Sequence, residues 1–88
     1  MDPSSTETII ERSRGGDGEA FRLLVKAHQG YAYALAFRLV CDDEAAKDVV
    51  QESFIRIWKH LPEYRPTVKF TTWMYRIVVN LSYDRLKM

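Results

Sequence analysis

Apolar residues in this chain recur at intervals of three and four, and three short breaks divide the pattern into four segments. The breaks are Gly15-Gly16, Cys41-Asp42 and a segment that holds Pro62 and Pro66. Such intervals place side chains on one face of a helix, whereas a half-buried strand needs strict alternation. The sequence therefore predicts an all-α protein, a compact bundle of three to four helices. Their expected bounds are about 6–14, 18–40, 43–60 and 69–87, with an ordered loop at 61–68.

Polar residues at the breaks match the expected helix ends. Ser4 and Ser5 supply capping hydroxyls ahead of the first helix, with an acidic residue in its first turn. Asp17 is placed to cap the second helix and Asp42 the third. Pro62 cannot continue the third helix because its nitrogen carries no hydrogen-bond donor.

Each longer helix has an apolar side that predicts the core. In the second helix the expected core residues are Phe21, Leu24, His28, Tyr31, Leu35 and Leu39. In the third helix they are Ala46, Val49, Val50, Ser53, Phe54, Ile57 and Leu61. In the fourth helix the buried side centres on Ile77, with Met74, Leu81 and part of Trp73. A chain of 88 residues can close one core of this kind, so we expect a single domain over residues 1–88.

The net charge of +1 conceals a separation of charge along the chain. Residues 1–55 hold 6 Lys and Arg against 10 Asp and Glu, which gives −4. Residues 56–88 hold 7 against 2, which gives +5. This asymmetry indicates one acidic and one basic partner-facing half.

Composition also limits the setting in which the protein acts. One cysteine, Cys41, excludes a disulfide within the chain, and its apolar neighbours Leu39 and Val40 predict a buried or half-buried thiol. No segment approaches the roughly 20 apolar residues of a membrane span. The first residues lack the basic and apolar regions of an export signal, so we expect a cytoplasmic protein with no membrane partner.

One side of the third helix carries residues that suit a protein partner. Helical spacing places Asp48, Gln51, Glu52, Ile55 and Lys59 opposite the core. An isoleucine among acidic and amide groups is a candidate docking patch, because a partner can bury it while basic groups meet the carboxylates. An ordinary solvated face with one apolar residue has the same spacing.

The fourth helix carries residues that suit a nucleic acid. Lys69, Trp73, Arg76, Asn80, Tyr83 and Lys87 recur on one side and are expected to flank the core. The cations can bind phosphates, the amide can read a base edge, and the rings can stack on unpaired bases. Trp73 also suits simple packing. On the far side, Tyr75, Val79 and Leu86 predict exposed apolar surface that fits a further partner.

The sequence also bears on three other classes of function: catalysis or metal binding, duplex DNA binding, and protein binding alone. Catalysis and metal binding are disfavoured because His28 and His60 have neither paired carboxylates nor metal-ligand spacing. A helix-turn-helix regulator of duplex DNA needs a short turn, and the proline-bearing loop argues against one. A helical bundle that binds only proteins stays open as an alternative.

Two motifs carry a family resemblance. The first motif is Asp48-Val49-Val50-Gln51-Glu52-Ser53-Phe54, and the second runs from Thr72-Trp73 through Tyr75-Arg76-Ile77 to Asn80. At this separation, the two motifs resemble region 2 of the extracytoplasmic-function (ECF) sigma factors of bacterial RNA polymerase, in the sigma-70 family. Gly16 to Phe21 is also similar to that family. The likeness extends from about Ile9 to the end of the chain.

The resemblance implies a non-enzymatic promoter-recognition module without a cofactor. Docking on the β′ clamp helices of the RNA polymerase core would fall to Asp48, Gln51, Glu52 and Ile55. Recognition of the −10 element as a non-template single strand would fall to Tyr64, Arg65, Val68, Lys69, Phe70, Trp73, Arg76, Asn80, Tyr83 and Lys87. One departure is Pro66-Thr67-Val68, where the family usually has a small residue or glycine after the arginine.

The resemblance also implies more than one domain and a regulator. Family members join this region through a flexible linker to a second helical domain that reads the −35 element, so we expect the chain to belong to a longer two-domain protein. Many relatives are held inactive by an anti-sigma factor, which would be a further partner.

Overall fold

Four α-helices follow one another in the computed structural model, which describes residues 6–87. They are α1 (Thr6–Arg14), α2 (Gly18–Val40), α3 (Asp43–His60) and α4 (Phe70–Leu86). A short 3-10 turn, Leu61–Glu63, begins the connection from α3 to α4, and no strand occurs within residues 6–87. The predicted all-α class is therefore confirmed, with α4 one residue shorter at each end than expected. The cap expected from Ser4 and Ser5 lies outside the described residues.

Aspartate caps fix the starts of the two longest helices. The Asp17 carboxylate accepts hydrogen bonds from the backbone N–H groups of Glu19 at 3.1 Å and Ala20 at 3.2 Å. The hydrogen bond from Ala20 is the main reason that the pKa of Asp17 is lowered. The Asp42 carboxylate accepts from the N–H of Ala45 at 2.8 Å. Each cap gives a partner to N–H groups that the first turn of a helix leaves unpaired.

The central helix, α2, packs against all three of the others. Its most deeply buried residues include three alanines, each 0% exposed: Ala20, Ala32 and Ala36. The prediction of a core built on large residues is partly wrong, since Tyr31 is 43% exposed. A helix with three neighbours needs small side chains where they approach closely, and alanine meets that need. Leu24 is buried as expected, and the other predicted core residues are half-buried: Phe21, His28, Leu35 and Leu39.

The predicted core side of α3 is confirmed except that Val50 is only half-buried. Ser53 of α3 and Ser82 of α4 are both fully buried, and their hydroxyls have no hydrogen-bond partner among residues 6–87. The two helices run antiparallel, because Asp48 near the start of α3 pairs with Arg85 near the end of α4. Small side chains suit the close contact of this pair.

The buried side of α4 is rotated from its predicted position. Val78 and Met74 are fully buried, whereas Ile77 is only half-buried, so the predicted centre at Ile77 is wrong. The buried residues centre between Met74 and Val78, a rotation of about 70° from Ile77 around the helix. The cause is tertiary, because α4 packs against both α2 and α3, and helical spacing does not show where those neighbours lie. Phe70, Leu81 and Ser82 complete the buried side.

Cys41 is exposed, contrary to the expectation of a half-buried thiol. It follows the last residue of α2 with φ at 55°, in the left-handed region, and its N–H donates to the Phe37 carbonyl at 2.8 Å. The backbone turns sharply at this residue, so the side chain leaves the apolar surface that Leu39 and Val40 share. The left-handed conformation is unfavourable for a residue with a Cβ atom.

Replacement of Cys41 by glycine is therefore expected to stabilise the domain. Glycine adopts the left-handed conformation without strain, and the exposed thiol contributes little burial. We expect the free energy of unfolding to rise by about 0.5–1 kcal/mol, measured by urea denaturation. The matched control is Gly16→Ala, at φ 95°, which should lower the free energy of unfolding by about 1 kcal/mol. A less stable Cys41→Gly variant would contradict this account of the α2 end.

Candidate nucleic-acid interface and docking surface

The loop between α3 and α4 is built around Tyr64, which is buried. Its ring stacks on Trp73 with centroids 4.9 Å apart and meets Phe70 edge-on at 6.1 Å. Its N–H donates to the Leu61 carbonyl at 3.0 Å, and its hydroxyl donates to the Val68 carbonyl. Tyr64 therefore ties both ends of the loop to the first turns of α4.

The hydroxyl of Tyr64 is suited to this donor role. Burial raises the pKa of Tyr64, and the positive charge of Arg14 in α1 opposes the shift. A tyrosine hydroxyl is protonated near neutral pH even at its ordinary pKa, and the shift moves it further from ionisation, so it remains a donor to the Val68 carbonyl.

A tight turn lies within the loop, from Arg65 to Val68. The Val68 N–H donates to the Arg65 carbonyl at 3.1 Å, which closes a four-residue β-turn. Pro66 occupies the second position, where its fixed φ angle is favourable. The sequence that departs from the family resemblance thus forms an ordered turn, and Arg65 is exposed at its start.

The basic-aromatic face of α4, defined by Lys69, Trp73, Arg76, Asn80, Tyr83 and Lys87, lies opposite the core. Arg76 and Asn80 lie about 160° from Val78 around the helix, and Lys69 and Lys87 about 180°. The sequence analysis expected these residues to flank the core. Because the core centre moves to Val78, the face points away from the bundle and, apart from Trp73, is exposed.

Trp73 is the exception on this face, because it is half-buried. It lies about 140° from Val78 around the helix, at the edge of the core, against which it is packed. The ring of Tyr64 stacks on it, and the ring of Phe70 lies 6.0 Å away. Trp73 thus takes part in packing and also presents indole surface on the basic-aromatic face.

The structure separates the residues predicted to bind DNA into two groups. Tyr64 and Phe70 are buried and Val68 is half-buried, so these residues support the loop and offer little surface to a ligand. The exposed members are Arg65, Lys69, Arg76, Asn80, Tyr83 and Lys87.

The acidic docking patch of α3 comprises Asp48, Gln51, Glu52 and Ile55, all exposed as predicted. Ile55 is 56% exposed, which is unusual for an isoleucine. The Asp48 carboxylate accepts a hydrogen bond from the Arg85 guanidinium at 3.0 Å. Sequence analysis missed Arg85 as part of this surface, because it lies 37 residues away in the chain and only packing brings it near.

A shallow groove of about 340 Å³ continues the patch toward α4. Leu81, Asp84 and Arg85 line it together with the patch residues. The docking surface therefore extends over both helices. A larger apolar groove of about 860 Å³ lies between α2 and α3, and Gln51 and Ile55 line both grooves.

A third cavity, here called the loop pocket, lies between α1, the loop and the first turn of α4. Its volume is about 400 Å³, and Tyr64, Lys69 and Phe70 form one side. Glu7 and Glu11 of α1 form another. No sequence signal placed α1 at this site, because helical spacing does not show which helix packs against which loop.

The exposed apolar surface expected on the far side of α4 is present in part. Tyr75 and Leu86 are exposed and Val79 is half-buried. Tyr75 lines a cavity with Tyr31 and Arg38 of α2.

No cluster of three or more His, Cys, Asp or Glu side chains within residues 6–87 is arranged to hold a metal ion. In the same range, no helix is both long and apolar enough to cross a membrane.

Fold and surfaces together define a helical domain with one face suited to a protein and another suited to nucleic acid. A family model, sigma-70 region 2, matches residues 24–88. The chain therefore belongs to the sigma-70 region 2 family.

Curated relatives agree with this assignment. The RNA polymerase sigma-H factor of Pseudomonas aeruginosa is 39% identical over 80 residues, which cover 91% of this chain and 42% of that protein. The ECF RNA polymerase sigma factor SigW of Bacillus subtilis is 35% identical over 78 residues, which cover 89% of this chain and 42% of that protein. The ECF RNA polymerase sigma-E factor of Escherichia coli is 39% identical over 80 residues, which cover 91% of this chain and 41% of that protein. The chain thus spans about two fifths of the length of these relatives.

A solved structure extends the similarity to the fold. It is the NMR structure of an engineered region 2 of sigmaE in complex with GTAAAA. It is 38% identical to this chain, with a TM-score of 0.88, and the match covers 98% of this chain and 90% of that one.

Removal of the Tyr64 hydroxyl tests whether this side chain anchors the loop. Tyr64→Phe keeps the ring but leaves the Val68 carbonyl without its donor, so we expect a loss of about 1 kcal/mol in the free energy of unfolding. Backbone amides of the loop should also exchange faster with solvent. Urea denaturation and hydrogen exchange measure the two effects, with the exposed Tyr83→Phe as the matched control. Unchanged exchange in the loop of Tyr64→Phe would contradict the anchoring role.

Proposed function

We propose that this chain is the promoter-recognition module of a bacterial transcription initiation factor. It docks on the RNA polymerase core through the acidic docking patch. It recognises and helps to open the −10 promoter element through the loop and the basic-aromatic face, and it does so without enzymatic activity. The observation that carries this proposal is the exposure of both surfaces on one antiparallel helix pair, α3 and α4.

The docking patch has the composition of a protein interface. A partner that covers Ile55 gains up to about 1.5–3 kcal/mol from its burial. Glu52 contacts Arg56 only at 4.0 Å and Asp48 is already paired with Arg85, so Glu52 is the more available carboxylate. Charge complementarity to these carboxylates would set the orientation of a basic helical partner, as expected for the β′ clamp helices.

The basic-aromatic face has the composition of a single-strand site. Lys69 and Lys87 flank α4 about 27 Å apart, with Arg76 between them, so the three cations can hold phosphates at separate points along a strand. Asn80 lies between them and can read a base edge. The exposed part of Trp73 offers a ring at the start of the face, where an unpaired base can stack. Capture of an unpaired base offsets part of the few kcal/mol needed to unstack it.

The two surfaces point in different directions, so they can be used together. At the docking end of α4, Arg85 and Lys87 lie about 160° apart around the helix, and Trp73 lies twelve residues, or about 18 Å, from Arg85 along it. The protein partner and the DNA strand therefore need not compete for the same residues. This separation suits a module that holds the polymerase and the opened promoter together.

Additional partners belong to the whole protein rather than to this domain. We infer that full promoter selection uses a second domain that reads the −35 element. An anti-sigma factor is a further partner, for which the exposed Tyr75 and Leu86 offer apolar surface. The site of action is then the bacterial cytoplasm.

Reversal of charge in the docking patch tests the polymerase contact. The double variant Asp48→Arg/Glu52→Arg places like charges against a basic partner, which costs several kcal/mol. We expect the affinity for polymerase core to fall by at least about 100-fold, measured by fluorescence anisotropy with labelled protein.

Two further variants serve as controls for this test. Asp48→Arg/Arg85→Asp keeps the ion pair between α3 and α4 with its direction reversed. Glu19→Arg changes an exposed carboxylate of α2 outside the patch. Circular dichroism checks that all variants stay helical. Undiminished binding by the docking-patch variant would refute the assignment.

The variant Trp73→Ala tests whether the domain captures a single strand. Loss of one stacking ring should weaken binding of single-stranded −10 DNA by about 1–3 kcal/mol, or roughly 5- to 100-fold. Polymerase binding should change little. Permanganate reactivity of promoter thymines in the polymerase complex measures opening, and the melting temperature checks for loss of packing, since Trp73 is half-buried.

Trp58→Ala is the matched control, because Trp58 is the second tryptophan and lies on α3 beside the apolar groove.

Wild-type protein should prefer the single strand over the duplex of the same sequence. Equal or tighter duplex binding would favour a helix-turn-helix type of regulator instead. No DNA binding in the presence of polymerase would favour a domain that binds only proteins.

A further inference from the structure

Lys47 of α3 borders the acidic docking patch. Around the helix it lies about 40° from Gln51 and about 80° from Ile55. All three residues line the apolar groove between α2 and α3. Lys47 is therefore a cation at the edge of a surface that suits a basic partner, and a free ammonium group at this edge would repel that partner.

The ion pair of Lys47 turns its charge away from the patch. Arg85 pairs with a patch carboxylate, at 3.0 Å from Asp48. Lys47 instead pairs with a carboxylate outside the patch, because its Nζ atom lies 3.1 Å from Oδ2 of Asp43. Asp43 precedes Lys47 by four residues, so the ammonium group lies toward the start of α3 and not toward Gln51, one turn further along.

Asp43 is itself held in place by α2. The hydroxyl of Tyr33 donates a hydrogen bond to Oδ1 of Asp43, while Lys47 contacts Oδ2. The ring of Tyr33 is half-buried and stacks on Phe37 of the same helix, with centroids 5.9 Å apart. The hydrogen bond from Tyr33 is the main cause of the lowered pKa of Asp43, and the hydrogen bond from Lys47 adds to it. Both oxygens of the carboxylate are thus engaged, one by each helix.

We propose that Tyr33 and Asp43 are positioning residues for polymerase docking. Together they hold the ammonium group of Lys47 away from the acidic docking patch, so that a basic partner reaches the patch carboxylates without that cation between them. This inference rests on the proposed docking of the polymerase core at the patch. It extends that function to α2, which the docking patch does not include.

The expected effect is modest, because Asp43 and Lys47 are both exposed. Exposed ion pairs are weak, since holding two mobile side chains together costs entropy. Two features strengthen this pair. An acidic residue four positions before a basic one is the favourable order on a helix, and the hydrogen bond from Tyr33 restricts the carboxylate. Release of Lys47 should therefore change the affinity for polymerase far less than charge reversal within the patch does.

A double-mutant cycle tests the proposal by releasing Lys47 and then removing its charge. Binding of the labelled 88-residue chain to RNA polymerase core is measured by fluorescence anisotropy at about 50 mM salt. Asp43→Asn should weaken binding about threefold to fivefold. Lys47→Gln should bind at least as tightly as wild type, and Asp43→Asn/Lys47→Gln should bind as Lys47→Gln does. Tyr33→Phe keeps the ring but not the donor, so it should weaken binding by less than Asp43→Asn.

Glu44→Gln is the matched control, because Glu44 is a second exposed carboxylate in the first turn of α3. It forms no ion pair within residues 6–87, so its removal should change the affinity little. At about 0.5 M salt the loss in Asp43→Asn should disappear, because salt screens exposed charges. Thermal melting confirms that each variant is folded.

Three results would overturn the inference and leave the proposed function intact. The first is equal affinity of wild type and Asp43→Asn. The second is a loss that persists in the Lys47→Gln background, which would show that Asp43 acts through the stability of α3. The third is an equal loss in Glu44→Gln, which would show an effect of net charge alone. Failure of the folded wild-type chain to bind polymerase core would refute the proposed function and this inference together.

Discussion

The candidate nucleic-acid site depends on the burial of one tyrosine. Tyr64 places its ring against Phe70 and Trp73 and donates its hydroxyl to the Val68 carbonyl, which closes the loop onto the start of α4. Without that anchor, ordering the nine-residue connection between α3 and α4 would cost more conformational entropy, and Trp73 would lose the ring that stacks on it. Tyr64 is buried, so its main role in the site is to hold the loop and Trp73 in place. The packing of Tyr64 therefore both orders the loop and positions Trp73.

The second organising feature is the antiparallel contact of α3 and α4. It brings Arg85 to Asp48 and so joins the docking patch to the end of the helix that carries the basic-aromatic face. Each of these helices also buries one serine, Ser53 in α3 and Ser82 in α4, whose hydroxyls have no hydrogen-bond partner within residues 6–87. Because the two helices pack against each other, the distance between the acidic docking patch and the basic-aromatic face is fixed.

Charge in the folded domain is arranged differently from charge along the chain. The sequence separates an acidic first part from a basic last part, which predicts one acidic and one basic surface. Folding places Glu7 and Glu11, from the acidic part, against the loop that leads into the basic helix. Carboxylates from the first part of the chain and Lys69 from the last part thereby line the same pocket.

The sequence alone determined the four helices, their caps, the two faces of α3 and the family resemblance, because these depend on residues within a few positions of one another. It did not determine the buried side of α4, the exposure of Tyr31, the cover over Trp73 or the contribution of α1 to the loop pocket. Each of these depends on which elements pack together. Helical spacing shows only that a face is apolar, whereas burial is set by the neighbours that meet that face. A rotation of about 70° is enough to move the basic-aromatic face from the flank of the core toward the side opposite it.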